Sequence, residues 1–282
     1  MKSILFSAII LITISQGCHR DPDQSKRSSK HIKEIEKNIT EPESYFSKNE
    51  HMVLGTLYHQ QAAEYRALCY QAYNIGRMIL DKDLEDKTVD KHRIVILDID
   101  ETVLDNSPYE AACILQDINY PTRWEEWCTK ASAEAVPGSL EFLNYARSSG
   151  VSVFYVTNRK QNLKDQTIRN LQKLGFPQAD EEHVIMRTTE NSKEGRRQVL
   201  ADKYHIALLF GDNLSDFTNV FDDNNNGNRI KKTDELYKEF GKRFIILPNS
   251  TYGDWETNLY MKADNPSDSM KTILRHQVLR GF

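Results

Sequence analysis

"RIVILDIDETVLDNSPYE", Arg93 to Glu110, is the stretch on which the reading of the whole chain turns. Aliphatic residues Ile94 to Leu97 run straight into Asp98, Asp100 and Glu101. Continuous rather than alternating hydrophobicity marks a strand buried on both faces, as in a parallel sheet. Carboxylates at the end of such a strand repel one another, and a buried unpaired charge is strongly unfavourable. A cation, a basic side chain or a captured proton has to stand beside them.

Further along, "VSVFYVT", "HVIM", "IALLFGD" and "RFIIL" repeat the pattern of short apolar runs. Helical stretches are expected between them, at Ser139 to Ser149, Asn162 to Leu174, Glu194 to Tyr204 and Thr233 to Phe240. Gly150 and Gly175 sit where helices would stop. The alternation predicts an α/β fold, a doubly wound parallel sheet with a Rossmann-like core. Ahead of the first run, apolar residues recur at three- and four-residue steps, as one long amphipathic helix would place them. Its tyrosines, Tyr58, Tyr65, Tyr70 and Tyr73, read as packing.

One connection breaks the rhythm. Residues 105–136, rich in tryptophan and tyrosine, far exceed the common loop of about 4–6 residues. They read as a small, mostly helical cap over the strand ends. The expected domain is 49–282, with a helical N-terminal segment 51–84, a core of 93–104 and 137–250, and the cap insert 105–136. A partly helical tail runs from Gly253 to Phe282.

Residues 1–17 have another character. Met1-Lys2 and the apolar run Ile4 to Ile14 make a charged and a hydrophobic region too short to span a bilayer, which takes about 20 residues. That is the pattern of a secretion signal. "SQGCHR" closes it, and Cys18 after Gly17 resembles a bacterial lipoprotein site, although Ser15 stands where such signals carry an aliphatic residue. An ordinary cleaved signal is the alternative. Residues 18–48 are polar and read as a tether. The expected location is the bacterial cell envelope, as an outer-membrane lipoprotein facing the periplasm or the surface.

Over 282 residues the formal net charge is −4, so no broad basic field argues for a nucleic acid partner. Cys69, Cys113 and Cys128 remain after Cys18, an odd number that argues against a multi-bridge framework. Cys113 and Cys128 could pair within the insert, but small buried thiols are the leading reading for all three.

In open α/β sheets ligands bind beyond the carboxyl ends of the strands. The predicted topology gathers Asp98, Asp100, Glu101 and Thr102 there, with Thr157, Asn158 and Arg159, then Asp212, Asn213 and Asp216. Lys193 opens a helix just after the third run. Oxygen ligands without histidine or cysteine suit a hard divalent cation, Mg2+ above all. One aspartate is then free to attack phosphorus and form an aspartyl phosphate. A carboxyl two residues on can protonate the leaving group and later activate water. A threonine hydroxyl and a lysine ammonium can hold the phosphoryl oxygens. "DDNNNG", Asp222 to Gly227, matches the start of a calcium loop, but Thr233 stands where the closing glutamate belongs. It reads as a polar turn.

"DIDET", "VTNR", "NSKEGRR" and "GDNLSDF", in that order, resemble the haloacid dehalogenase superfamily of phosphatases. "ILDIDETVLDNSPYE" and "ALLFGDNLSDF" resemble the paired signatures of bacterial class C acid phosphatases, including the lipoprotein e(P4)-type 5'-nucleotidases. "QQAAEYRALCYQAY" and "LPNSTYGDWE" resemble other segments of that family, so the likeness covers about Met52 to Leu259.

The resemblance implies Asp98 as nucleophile and metal ligand, and Asp100 as general acid and base whose backbone carbonyl is a further ligand. It implies Asp212 as metal ligand, Thr157 and Lys193 as phosphate-binding groups, and Asp216 and Asn158 in support. Glu101 and Thr102 are expected to orient backbone and metal waters. Trp124, Trp127 and Tyr252 are candidates for stacking on a nucleobase, with Asn106 and Tyr109 at the mouth; such stacking is worth about 1–3 kcal/mol per base. The implied activity is an exported, Mg2+-dependent acid phosphatase or 5'-nucleotidase acting on small phosphomonoesters, in a chain that relatives suggest is a homodimer. The alternatives are a phosphotransferase on the same fold and a non-catalytic surface binding lipoprotein.

Overall fold

The computed structural model describes residues 47–261, 263 and 265–282. The expected signal, Cys18 and all of the tether but Ser47 and Lys48 lie outside the described residues. Those two are not free: the Ser47 hydroxyl and the Lys48 N–H donate to Asp117 Oδ1 at 3.1 and 2.7 Å.

All five apolar runs are strands of one parallel sheet. β1 is Arg93–Leu97, β4 Ser152–Lys160, β5 Val184–Arg187, β6 His205–Gly211 and β7 Phe244–Ile246, in the order β5-β4-β1-β6-β7. Their continuous hydrophobicity has a direct cause, since side chains alternate between two covered faces. Val95, Leu97, Val153, Tyr155, Leu208 and Phe210 enter one core cluster, and Ile94, Ile96, Phe154, Val156 and Leu209 enter the other.

On the first face lie α2 (Ala63–Glu85), α5 (Ser139–Ser148) and α6 (Lys164–Leu174), through residues such as Leu80, Phe142 and Leu171. On the second lies α7 (Glu194–Lys203), through Leu200. β4 runs on to Lys160, so Thr157 to Arg159 belong to the strand rather than to a helix cap.

Residues 51–84 are not one helix. A 3-10 turn, Glu50–Met52, leads into α1 (Val53–Gln61), and the chain extends at Ala62 (φ −80, ψ 125) before α2 begins. Alanine carries no breaker chemistry, and the break is tertiary. His59 Nε2 accepts from the Ser250 N–H at 3.2 Å, and the Ser250 hydroxyl donates to the Gly55 carbonyl at 3.3 Å, which ties α1 to the loop after β7.

The insert is a mostly helical cap, as expected. β2 (Leu104–Asp105) pairs antiparallel with β3 (Glu134–Ala135) and closes its base; α3 (Ser107–Leu115) and α4 (Trp124–Lys130) lie between. Cys69, Cys113 and Cys128 are free and buried.

The helix expected at Thr233 to Phe240 is displaced. α8 is Asn226–Glu235, followed by a 3-10 turn at Tyr237–Glu239. Asn225 caps it by accepting from the Asn228 N–H at 3.2 Å. The polar run from Asp222 is therefore a turn only as far as Asn225. The tail holds α9 (Asp254–Thr257) and α10 (Asp268–Gln277). No helix among the described residues is long and apolar enough to cross a membrane.

Candidate active site

Asp98 continues the β1 ladder, donating its N–H to the Phe210 carbonyl at 3.0 Å. Its side chain leaves the carboxyl edge of the sheet beside two others. Asp98, Asp212 and Asp216 each offer an oxygen within 4.8 Å of the other two. Lys193, 5% exposed, bridges Asp98 Oδ1 and Asp216 Oδ1, the latter at 2.6 Å.

Each acid is held in place. Asn249 Nδ2 donates to Asp212 Oδ2 at 2.8 Å, and the Thr102 hydroxyl to Asp212 Oδ1 at 3.3 Å. The Asn213 N–H donates to Asp216 Oδ2 at 3.0 Å. Gly211 leaves the room: a Cβ there would press on the Asp216 carboxylate.

One ammonium does not balance three carboxylates. Burial pushes the Asp98 carboxyl up to about 7; Lys193 pulls it down, and Asp216 and Asp100 add to the rise. Asp212 is held well above the usual carboxylate range by burial, then by Asp216 and Asp98. For Lys193, burial opposes the charge, but Asp216 and Asp98 outweigh it and raise the group. The cluster lacks positive charge, and its donors are all oxygen. That fits a hard divalent cation.

Asp100 faces elsewhere. Its Oδ1 accepts from Arg159 Nη2 at 2.8 Å, Arg159 Nε at 3.0 Å and Asn106 Nδ2 at 2.7 Å. Its side chain thus stands outside the carboxylate set, while Asp216, expected only in support, is inside it. Sequence reasoning places Arg159 at the strand end but assigns it no role there. Strand period two places it on the same side as Thr157, and this was the available signal. It is buried, and it also donates to Asn106 Oδ1 at 3.3 Å and to the Thr167 hydroxyl at 3.2 Å.

Thr157 is fully buried, and its Oγ1 accepts from the Arg159 N–H at 3.0 Å. Arg196, also unassigned from sequence, donates to the Thr157 carbonyl and to Asn158 Oδ1, both at 2.6 Å. Glu101 is buried in the left-handed region (φ 55). It accepts from the Asn106 N–H at 2.8 Å and from the Tyr252 hydroxyl, and burial, then Asp100 and Asp212, hold its carboxyl well above its usual range.

Above this floor opens a cavity of about 480 Å³. Asp98, Asp100, Lys193, Asp212 and Asp216 line it, as do Asn158, Tyr120, Trp124, Tyr252, Glu110 and Glu256. Trp124 and Tyr252 therefore stand where expected. Trp127 does not: its Nε1 donates to Asn106 Oδ1 at 2.8 Å and its ring packs on the core. Asn106 and Tyr109 are buried supports rather than mouth residues. Tyr109 donates to the Thr122 carbonyl at 3.0 Å and meets the Trp124 ring edge-on at 4.9 Å.

A parallel sheet that presents an aspartate pair, a lysine and two further aspartates at its carboxyl edge, beneath an inserted cap, defines a haloacid dehalogenase-type core. Residues 19–255 match the HAD superfamily, subfamily IIIB (acid phosphatase), and the chain belongs to this family of phosphoric monoester hydrolases. The class C acid phosphatase from Bacillus anthracis superposes with a TM-score of 0.81 at 42% identity, over 84% of this chain and 100% of that one. The same enzyme with tungstate bound gives 0.80 at 42% identity, over 85% and 100%. Acid phosphatase 1 of Solanum lycopersicum is 27% identical over 139 residues, 45% of this chain and 52% of that protein. The Stem 31 kDa glycoprotein of Glycine max is 30% identical over 139 residues, 46% and 54%. The chain spans about half the length of these two curated relatives.

Proposed function

We propose that this chain is a metal-dependent acid phosphatase that hydrolyses small phosphomonoesters, 5'-nucleotides among them, through an aspartyl phosphate on Asp98. The observation that carries the reading is Lys193 clamped between Asp98 and Asp216, with Asp212 completing an oxygen-only cluster within 4.8 Å. Tungstate, the ligand of the solved relative, is a tetrahedral oxyanion like phosphate, and it supports a phosphoryl site.

Held by Asp98, Asp212 and Asp216, a divalent cation, Mg2+ by its preference for oxygen, would offset the charge of the phosphoryl group and the carboxylates. Asp98 supplies the attacking oxygen. As its bond to phosphorus forms, the ester P–O bond breaks, and protonated Asp100 gives its proton to the leaving oxygen. Asp100, now a carboxylate, takes a proton from the water that attacks the phosphoaspartate. The P–O bond to Asp98 breaks, and inorganic phosphate leaves with the carboxylate restored. Lys193 and the Thr157 hydroxyl donate to the non-bridging oxygens. Arg159 and Asn106 aim Asp100.

The charged start, apolar run and Cys18 support export and attachment to the bacterial envelope through an N-terminal lipid. Mass spectrometry of the mature N-terminus tests this, and a peptide with a free or absent Cys18 would remove the anchor. Solution mass measurement decides between monomer and homodimer.

The central test is phosphate release from a 5'-nucleotide at mildly acid pH, with Mg2+ and then with excess chelator. Release that stops with chelator and returns with Mg2+ is expected. Silence from a folded, metal-loaded protein across several phosphate esters would end the phosphatase reading in favour of a binding protein. Transfer to an added alcohol in preference to water would make it a phosphotransferase.

A further inference from the structure

Glu110 lines the same cavity from α3 and is only 8% exposed. Among the described residues its carboxylate has no hydrogen-bond or ion-pair partner. Of the other acids of the cavity, Asp268 is exposed to solvent, and those nearer Glu110 are engaged. Asp254 pairs with Arg229 at 3.1 Å, and Glu256 Oε1 accepts from the Tyr260 hydroxyl at 2.5 Å with His51 and Arg275 each at 4.0 Å. Lys271, which also lines the cavity, lies 5.5 Å from the centre of the Tyr260 ring. A buried polar group without a partner is unfavourable, more so when charged. Burial first, then Glu256 and Asp100, push Glu110 up to about 7, so its neighbours add to the cost.

The surroundings say what would relieve it. Tyr120, Trp124 and Tyr252 line the cavity, and Trp124 is wedged edge-on between Tyr109 at 4.9 Å and Tyr120 at 5.8 Å. The Tyr252 hydroxyl is already spent on Glu101. The cavity thus joins a phosphoryl floor, aromatic surfaces and a buried carboxylate without a partner. Its volume, about 480 Å³, is within the usual range for small ligands, roughly 300–1,000 Å³.

We infer that Glu110 is a specificity-determining residue, which accepts a hydrogen bond from an N–H of a planar, amino-bearing leaving group. The inference rests on the phosphatase reading and sharpens it. It selects phosphomonoesters of amino-substituted bases over those that offer no donor.

The test uses the full metal-loaded chain and two substrate pairs that differ by one amino group. The pairs are adenosine against purine riboside 5'-phosphate, and guanosine against inosine 5'-phosphate. A site built to bond a donor rejects the analogue lacking it. In at least one pair, kcat/KM should favour the amino compound by about tenfold or more. Glu110→Leu should bring that ratio to within about twofold of unity, mainly through KM, and Glu110→Gln, which keeps an acceptor, should leave part of it. Ratios near unity for the unaltered chain in both pairs would overturn the inference. So would a preference unchanged in Glu110→Leu or, should that variant not fold, in Glu110→Met. Hydrolysis of 4-nitrophenyl phosphate by the unaltered chain separates the two failures. If it is absent, the phosphatase reading falls and takes the inference with it; if it is present, only the inference is at stake.

Discussion

Two side chains make the sharpest claims. Asp98 is the attacking group of the proposed reaction, so Asp98→Asn should lower phosphate release on the order of 10⁴-fold or more. The same change removes one charge from a crowded set in which burial already raises Asp98 to about 7. The melting temperature should therefore hold or rise while activity vanishes. A variant that keeps a tenth of the activity would remove Asp98 from that role. Lys193 is the opposite case. Lys193→Met leaves Asp98 and Asp216 without the ammonium that bridges them, and breaking a buried ion pair typically costs about 3–5 kcal/mol. Thermal melting should fall, and it should fall less in saturating Mg2+, because a bound cation stabilises the folded state by mass action. If Mg2+ raises the melting point of neither form, the carboxylates are not a cation site.

At the scale of the element, the end of β6 governs the site through a missing side chain. A Cβ on Gly211 would collide with Asp216 Cβ and Oδ2 and lie 2.7 Å from Cγ. Gly211→Ala should push Asp216 off Lys193, with activity down roughly 10²-fold, since displacing a positioned group by about 1 Å can cost that much. The sheet should survive, so circular dichroism near the unaltered spectrum with lost activity is the expected pair. Full activity would mean that Asp216 has room to move. The strands were legible because burial on both faces leaves an unbroken apolar run, and β1 shows it with Val95 and Leu97 on one side and Ile94 and Ile96 on the other. The aspartates were legible because they end such runs. The break at Ala62 was not, because alanine is the strongest helix former, and the contacts around the turn, Gly55 and His59 with Ser250 and His59 with the Tyr65 ring, leave no local sequence signal. The start of α8 was hidden in turn-like composition, where Asn225 proved to be the cap. Composition also could not say which tryptophan faces the cavity. Trp124 does, while Trp127 is fixed to Asn106.

The whole molecule places a negatively biased cavity where sheet, cap and C-terminal segment meet, and this has a consequence for its stability. In Glu110 the carboxyl is raised from 4.5 to about 7 by burial, then by Glu256 and Asp100. Between those values the folded chain holds more protons than the unfolded one, so stability falls as pH rises, by up to ~1.4 kcal/mol per pH unit for one such group. Below about 4.5 both states are protonated and the term is fully relieved; above about 7 the penalty is complete. The cavity therefore favours the folded state in mild acid over neutral pH, and neutral replacements should flatten that trend. Melting curves of the unaltered chain and Glu110→Gln, taken from about pH 4.5 to 8 in constant Mg2+, isolate the Glu110 share as their difference. That difference should be small at the acid end and grow toward pH 7, with the variant the more stable. Parallel curves would mean that Glu110 titrates alike in both states, through solvent or a counter-charge that relieves its burial.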